Sequence, residues 1–260
     1  PLGLSPLNAD AVKPNPIMVY LSLMAFVAVC VGMLYIDAKV YSYLSYLLIV
    51  AVVGIAYMLF SDKSLSKVEK KKISVIFIVA FFVVFFWSAF EQAGASLTFF
   101  AEEQTQRDLG FFTVPASWFQ SLNSVFVIIF APVFAWLWIK LGKKEPSAPT
   151  KMALGLMLLA IGYFVIAVGV KDIGQGVKVS MIWLIGMYAF HTWGELCLSP
   201  IGLSLVNKLS PVKFASLLMA VWFLANAGSN VLAGKLSALY PDGTKVTSFV
   251  GYQMHDLNDF

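Results

Sequence analysis

The chain has 260 residues, 60% of them hydrophobic and only 12% charged, against roughly 25% charged in soluble domains. That is too few charges to cover a soluble surface, and the apolar residues arrive in blocks of about twenty, the length that crosses a bilayer core as a helix. The net charge of +4 comes from lysines near the ends of those blocks, with Arg107 the only arginine, so nucleic-acid binding is not indicated.

In chain order, Pro1 to Pro16 forms a leader without the basic start and apolar core of a signal peptide. Because the chain opens on Pro1, it reads as part of a longer one. Seven apolar spans follow, at roughly 17–36, 41–60, 73–100, 111–139, 152–170, 179–207 and 212–239. They lack the alternation of an outer-membrane barrel. Backbone groups in lipid must pair within their segment, so each span is expected to be helical. The third and fourth are long, about 28 residues each, and should tilt or project. The fourth holds Pro132 and the sixth Pro200, where helices can kink. The polar tail, 240–260, contains the turn signal Pro241-Asp242-Gly243.

The connections fix an orientation. Segments 61–72 and 140–151, with Lys13, Lys208 and Lys213, collect twelve of the eighteen basic residues on one side. The positive-inside bias then puts the N-terminus in the cytoplasm and the C-terminus outside.

Of fourteen acids, Glu91 and Glu195 alone sit deep within apolar spans. A carboxylate at the bilayer centre costs about 2.5–3.5 kcal/mol on insertion scales. Each must pair with a cation, line a wet cavity or hold a proton. No lysine or arginine lies deep inside a span to serve as that cation.

His191, Glu195 and Ser199 follow at i, i+4 and i+8, one helical face. His191 is either a proton relay to Glu195 or an interhelical hydrogen bonder. Ser88, Glu91, Gln92 and Ser96 form a second polar set, expected to share one face. Gln120 with Asn123, and Asn226 with Asn230, add polar positions in the fourth and seventh spans. Such residues are interhelical glue or the lining of a shared cavity. Trp222, one turn before Asn226, is balanced between packing and ligand contact. Cys30 and Cys197 lie in apolar spans, without a CxxC or Cys/His cluster, and read as small buried residues. No HExxH, GxSxG or paired-His haem spacing occurs in the spans, so no enzyme, metal or cofactor is expected.

Four stretches resemble a known family. Phe86-Trp87-Ser88-Ala89-Phe90-Glu91-Gln92 is similar to the FWxxFEQ of helix seven in the proton-dependent oligopeptide transporter (POT or PTR) family of the major facilitator superfamily. Gly194-Glu195-Leu196-Cys197-Leu198-Ser199-Pro200-Ile201-Gly202-Leu203-Ser204 resembles its tenth-helix GELxxSPxGLS. Phe119-Gln120-Ser121-Leu122-Asn123 resembles its eighth-helix FQSLN, and Trp222-Phe223-Leu224-Ala225-Asn226 its eleventh-helix WFLxN.

The resemblance implies an all-α membrane protein, a partial major facilitator-type bundle with about seven of roughly fourteen helices. Residues 1–16 would be a cytoplasmic leader and 17–60 the two additional helices of bacterial members. Residues 61–72 would be a cytoplasmic basic linker, 73–239 helices seven to eleven of the C-terminal bundle, and 240–260 an external loop before a missing twelfth helix. The family's ExxER string does not occur. The function implied is proton-coupled symport of di- and tripeptides across a bacterial inner membrane. Protons would be the coupling ion, and the N-terminal six-helix bundle and the lipid bilayer the partners. Glu195 would bind the peptide's amino terminus, helped by Asn123. Ser199, Trp222 and Asn226 would complete the substrate site. Glu91, Glu195 and, at the extracellular gate, Glu103 would serve proton coupling and gating. Nitrate or a modified amino acid is the alternative substrate class, and a non-transport membrane subunit the remoter alternative.

Overall fold

The computed structural model describes residues 16–35, 39–171, 177–241, 247–249 and 251–254. It divides into two compact units, residues 1–47 and 48–260. In the first lies α1 (Pro16–Tyr35), whose Leu21, Met24 and Phe26 are all exposed, as expected of a helix solvated by lipid. Helix α2 (Lys39–Ser61) runs from the first unit into the second. The leader and most of the tail lie outside the described residues.

The second unit is a helical bundle. Helix α3 (Lys67–Phe90) opens on a capping box. The Ser66 hydroxyl accepts from the Glu69 backbone N–H at 3.2 Å, and the Glu69 carboxylate accepts from the Ser66 N–H at 2.8 Å. Two N–H groups without helical partners are thereby satisfied. The third apolar span, expected as one helix over 73–100, is broken. A 3-10 turn covers Glu91–Gly94, Ala95 leaves helical geometry at φ −134° and ψ −107°, and α4 (Ser96–Glu103) follows. The 3-10 turn holds Glu91, Gln92 and Gly94, polar or small residues within an otherwise apolar run.

The fourth span, expected from residue 111, becomes helical only at α5 (Ser117–Leu141). The preceding segment holds β1 (Thr105–Gln106) and a turn closed by an Asp108–Thr113 bridge, with Gly110 at φ +85°. Phe111 and Phe112 extended the apolar run in the sequence, yet they sit exposed at the tip of that turn. Helix α6 (Ala148–Val170) follows a turn at Gly142, whose φ of +47° suits glycine. Strand β2 (Val179–Ser180) pairs in parallel with β1 and leads into α7 (Met181–Leu209). Helix α8 (Ala215–Ser237) is followed by an antiparallel hairpin of β3 (Thr247–Phe249) and β4 (Tyr252–Met254). Helices α5 and α7 continue through Pro132 and Pro200.

Among the described residues, five helices are long and apolar enough to cross a membrane: Tyr43–Ser61, Lys67–Glu103, Ser117–Lys144, Ala148–Val170 and Val212–Ser237. The described apolar stretch of α1, Pro16–Gly32, is shorter, and α7 falls outside the group. The count thus differs from the seven spans drawn from the sequence. Helix α7 carries His191, Thr192 and Glu195 in its middle, and it packs against α3, α5, α6 and α8. A helix surrounded by other helices presents little surface to lipid and can be less apolar.

The contact between α6 and α7 has a simple sequence basis. Gly155, Gly162 and Gly169 recur every seven residues, two turns of helix, so they line one face. A Cβ at Gly155 would sit 2.7 Å from the Gly194 carbonyl oxygen. One at Gly162 would sit 2.6 Å from His191 Cδ2, and one at Gly169 2.6 Å from Trp183 Cγ. Hydrogen atoms at these three positions let the backbones approach closely, the usual route to tight packing in lipid.

Candidate functional site

The polar stripe of α7 is divided between two neighbours. His191 turns to α6, where it is buried against Gly162, with its ring 4.8 Å from that of Tyr163 and 6.1 Å from that of Phe90. Its Nε2 has no hydrogen-bond partner among the described residues. Glu195 and Ser199 remain half-buried. Glu195 Oε2 accepts a hydrogen bond from Asn123 Nδ2 on α5 at 2.9 Å.

The orientation of Asn123 is fixed by a chain of bonds. The Thr192 hydroxyl donates to the Tyr188 carbonyl at 2.8 Å, so its oxygen accepts from Asn123 Nδ2 at 3.2 Å. With both amide hydrogens committed, Asn123 Oδ1 is left as an acceptor. Glu195 Oε1 and the Asn123 amide oxygen therefore remain as acceptors with no donor among the described residues, suited to an ammonium group. Among the described residues the ion pairs are Lys151–Glu145 and Lys213–Asp62, and none of their cations is paired with Glu195.

The second polar set does not share one face. Ser88, Gln92 and Ser96 are buried, whereas Glu91 is exposed. The first three stand at i, i+4 and i+8, and Glu91 is rotated about 100° from Gln92. Gln92 Nε2 donates to the Ser88 and Ala233 carbonyls, both at 3.0 Å, and its Oε1 accepts from the Ser96 hydroxyl at 2.8 Å. This fully bonded amide ties the break after α3 to α8. The Tyr163 hydroxyl supports the same break from α6 by donating to the Ala89 carbonyl at 2.6 Å. Glu91 makes no hydrogen bond or ion pair among the described residues.

The other expected site residues are dispersed. Gln120 Nε2 donates to Thr98 Oγ1 at 2.7 Å, joining α5 to α4 rather than to α7. Trp222 is buried on Gly202, where a Cβ would lie 2.1 Å from Trp222 Cη2. In this conformation Trp222 is core, not pocket wall. Asn226 is half-buried, and its Oδ1 lacks a hydrogen-bond partner among the described residues. Glu103 is exposed at the end of α4. Buried Cys197 packs beside Gly155, and Cys30 is exposed. An apolar cavity of about 410 Å³ between α5 and the start of α7 is lined by Trp118, Leu122 and Ile185, but not by Glu195 or Asn123.

Sequence reasoning missed Thr192, Tyr163 and the bonded role of Gln92. The seven-residue glycine repeat of α6 was a legible signal. Gly94, which permits close helix approach or a bend, lies within the 3-10 turn of the α3 break.

Fold and site together define a multi-pass helical membrane protein that holds one carboxylate, bonded by an asparagine, among its helices. The sequence matches the POT family over residues 22–253, and the chain belongs to that family. It is 37% identical over 197 residues to "Peptide transporter YePEPT" of Yersinia enterocolitica, covering 74% of this chain and 39% of that protein. It is 29% identical over 260 residues to the "Di-/tripeptide transporter" of Lactococcus lactis subsp. cremoris, covering 95% and 52%. A crystal structure of a mutant peptide transporter POT in complex with alafosfalin superposes with a TM-score of 0.75 at 33% identity, over 88% of this chain and 48% of that one. The fold is thus that of a major facilitator-type bundle, and the chain spans about half the length or less of these relatives.

Proposed function

We propose that this chain is the C-terminal part of a proton-coupled symporter of di- and tripeptides, working by alternating access in a bacterial inner membrane. The observation that carries the reading is the Glu195 carboxylate, half-buried, held by Asn123 and without a cation among the described residues. The names of the relatives support a peptide as the substrate.

Glu195 and Asn123 Oδ1 accept from the peptide's ammonium, with Ser199 nearby on α7 and Asn226 Oδ1 offering a further acceptor. Trp222 reaches a bound side chain only if α7 and α8 shift, since it is now seated on Gly202. Glu91, exposed beside the break after α3, serves proton coupling and gating. Glu103 pairs across the external gate with a basic residue of the N-terminal bundle. Each charge change favours one arrangement of the two bundles over the other and so shifts their populations. Protons are the coupling ion, and no cofactor takes part. The lysine-rich end faces the cytoplasm. Residues 17–60 act as the two additional helices and 73–239 as helices seven to eleven, with 61–72 as the cytoplasmic linker and 240–260 outside.

The test is uptake by the full-length protein in liposomes under an inward proton gradient. Dialanine should accumulate above equilibrium, and Glu195→Gln should remove that accumulation. If no di- or tripeptide accumulates, the reading fails.

A further inference from the structure

One end of the second unit carries a large excess of lysines over acids. The α2–α3 junction, the start of α6, the end of α7 and the start of α8 meet there, since Leu65, Met152, Val206 and Leu218 share one apolar cluster. The acids at this end are already committed. Asp62 pairs with Lys213 at 2.8 Å and accepts the Ser64 N–H at 2.6 Å. Glu145 pairs with buried Lys151, which also lies 4.3 Å from the Trp138 ring. Glu69 caps α3 through Ser66. Lys70 donates to the Phe60 carbonyl at 2.6 Å.

Lys63, Lys67, Lys71, Lys72, Lys140, Lys143, Lys144 and Lys208 remain, all exposed and none in an ion pair. They abut the apolar helices directly. Lys72 precedes buried Ile73, and Lys140 follows Ile139, with its ammonium 4.5 Å from the exposed Trp136 ring. Exposed apolar side chains stand among them: Val68 is 63% exposed, Ile139 80% and Val212 98%.

We propose that this end docks the anionic phospholipid headgroups of the surrounding bilayer. Juxtamembrane lysines are drawn to an anionic leaflet. A soluble anion would match the lysines but would leave Val68, Ile139 and Val212 in water, whereas a lipid satisfies both. The lysines outnumber the acids here, since Lys63, Lys67, Lys70, Lys71, Lys72, Lys140, Lys143, Lys144, Lys151, Lys208 and Lys213 face only Asp62, Glu69 and Glu145, which leaves the end strongly positive. The inference rests on the membrane-spanning fold and not on peptide transport, so a failed uptake assay leaves it standing.

The experiment is native mass spectrometry of the full-length protein released from a mixed phosphatidylcholine and phosphatidylglycerol bilayer. Wild type should retain phosphatidylglycerol over phosphatidylcholine by on the order of tenfold, and the preference should fall as salt is raised. A variant combining Lys71→Gln, Lys72→Gln, Lys143→Gln and Lys144→Gln should lose most of it while keeping its melting temperature in phosphatidylcholine. Equal retention of the two lipids by wild type, a salt-independent preference or an unchanged preference in the variant would overturn the proposal. So would inorganic phosphate protecting the protein in phosphatidylcholine as well as phosphatidylglycerol does. The wild-type arms decide the matter even if the variant fails to insert.

Discussion

The α3–α4 junction and the middle of α7 each carry one carboxylate at membrane depth, and their surroundings are built on opposite plans. Around Glu195 the bonds converge on the carboxylate, running from the Tyr188 carbonyl through Thr192 and Asn123. Around Glu91 they bypass it, and Gln92 and Tyr163 hold the backbone break while Glu91 stays exposed. A charge held in a bonded frame can recognise a partner of fixed geometry. A charge beside a backbone break is held in no such frame. This contrast is the ground on which recognition is proposed for α7 and gating for the junction.

The largest effect that would sharpen this contrast is Glu195→Gln, expected to bring concentrative uptake to background while leaving the melting temperature near wild type. Asn123→Ala should weaken substrate binding less, since the carboxylate stays. Unchanged uptake in Glu195→Gln would remove the recognition role of α7.

Next in size come changes to the frames. Gly155→Ala puts a Cβ 2.7 Å from the Gly194 carbonyl. A backbone atom cannot rotate away, so a loss of about 1–3 kcal/mol is expected, read by thermal unfolding in detergent. Gly162→Ala should also destabilise, since its Cβ meets the buried His191 ring at 2.6 Å and the Met187 carbonyl at 3.1 Å. Gln92→Ala should lose about 1–3 kcal/mol through the unpaired Ser96 hydroxyl and the lost tie to α8. If Glu91→Gln proved as destabilising, the junction would be a bonded frame after all. The expectation is a stability change within about 0.5 kcal/mol, with the pH dependence of uptake altered.

The smallest effect concerns Asp62. Its bonds to Lys213 and Ser64 hold its carboxyl well below the usual carboxylate range. A depressed acid contributes stability above its unfolded value, near 3.8, and loses it only as the pH falls through the still lower folded value. Asp62→Asn should therefore cost the same small amount throughout the neutral range, and the difference should fade only in acid. A melting-temperature difference that varied between mildly acidic and neutral pH would contradict the pairing.

Much of the site was legible because its chemistry is local. Glu195, Asn123 and Asn226 stand out as polar residues in apolar runs, and spacing alone places Glu195 on the face of Ser199. The grouping of Glu91 with Gln92 failed because neighbouring residues point about 100° apart on a helix. A polar run cannot say which member turns inward. Helix α7 illustrates the same gap at larger scale, being the helix that touches most others while falling short in hydropathy.

By itself the sequence determined that the chain crosses a bilayer as helices, since too few charges and long apolar blocks leave no other solvent. It determined also which residues are costly enough there to require a task. Only the tertiary structure decided what those residues meet: Asn123 on Glu195, Gln92 on the Ala233 carbonyl, Trp222 on Gly202. In lipid the apolar faces turned inward and outward are chemically alike. Hydropathy therefore marks the helices but not their neighbours, and the close fits at small residues and the few polar bonds choose the arrangement.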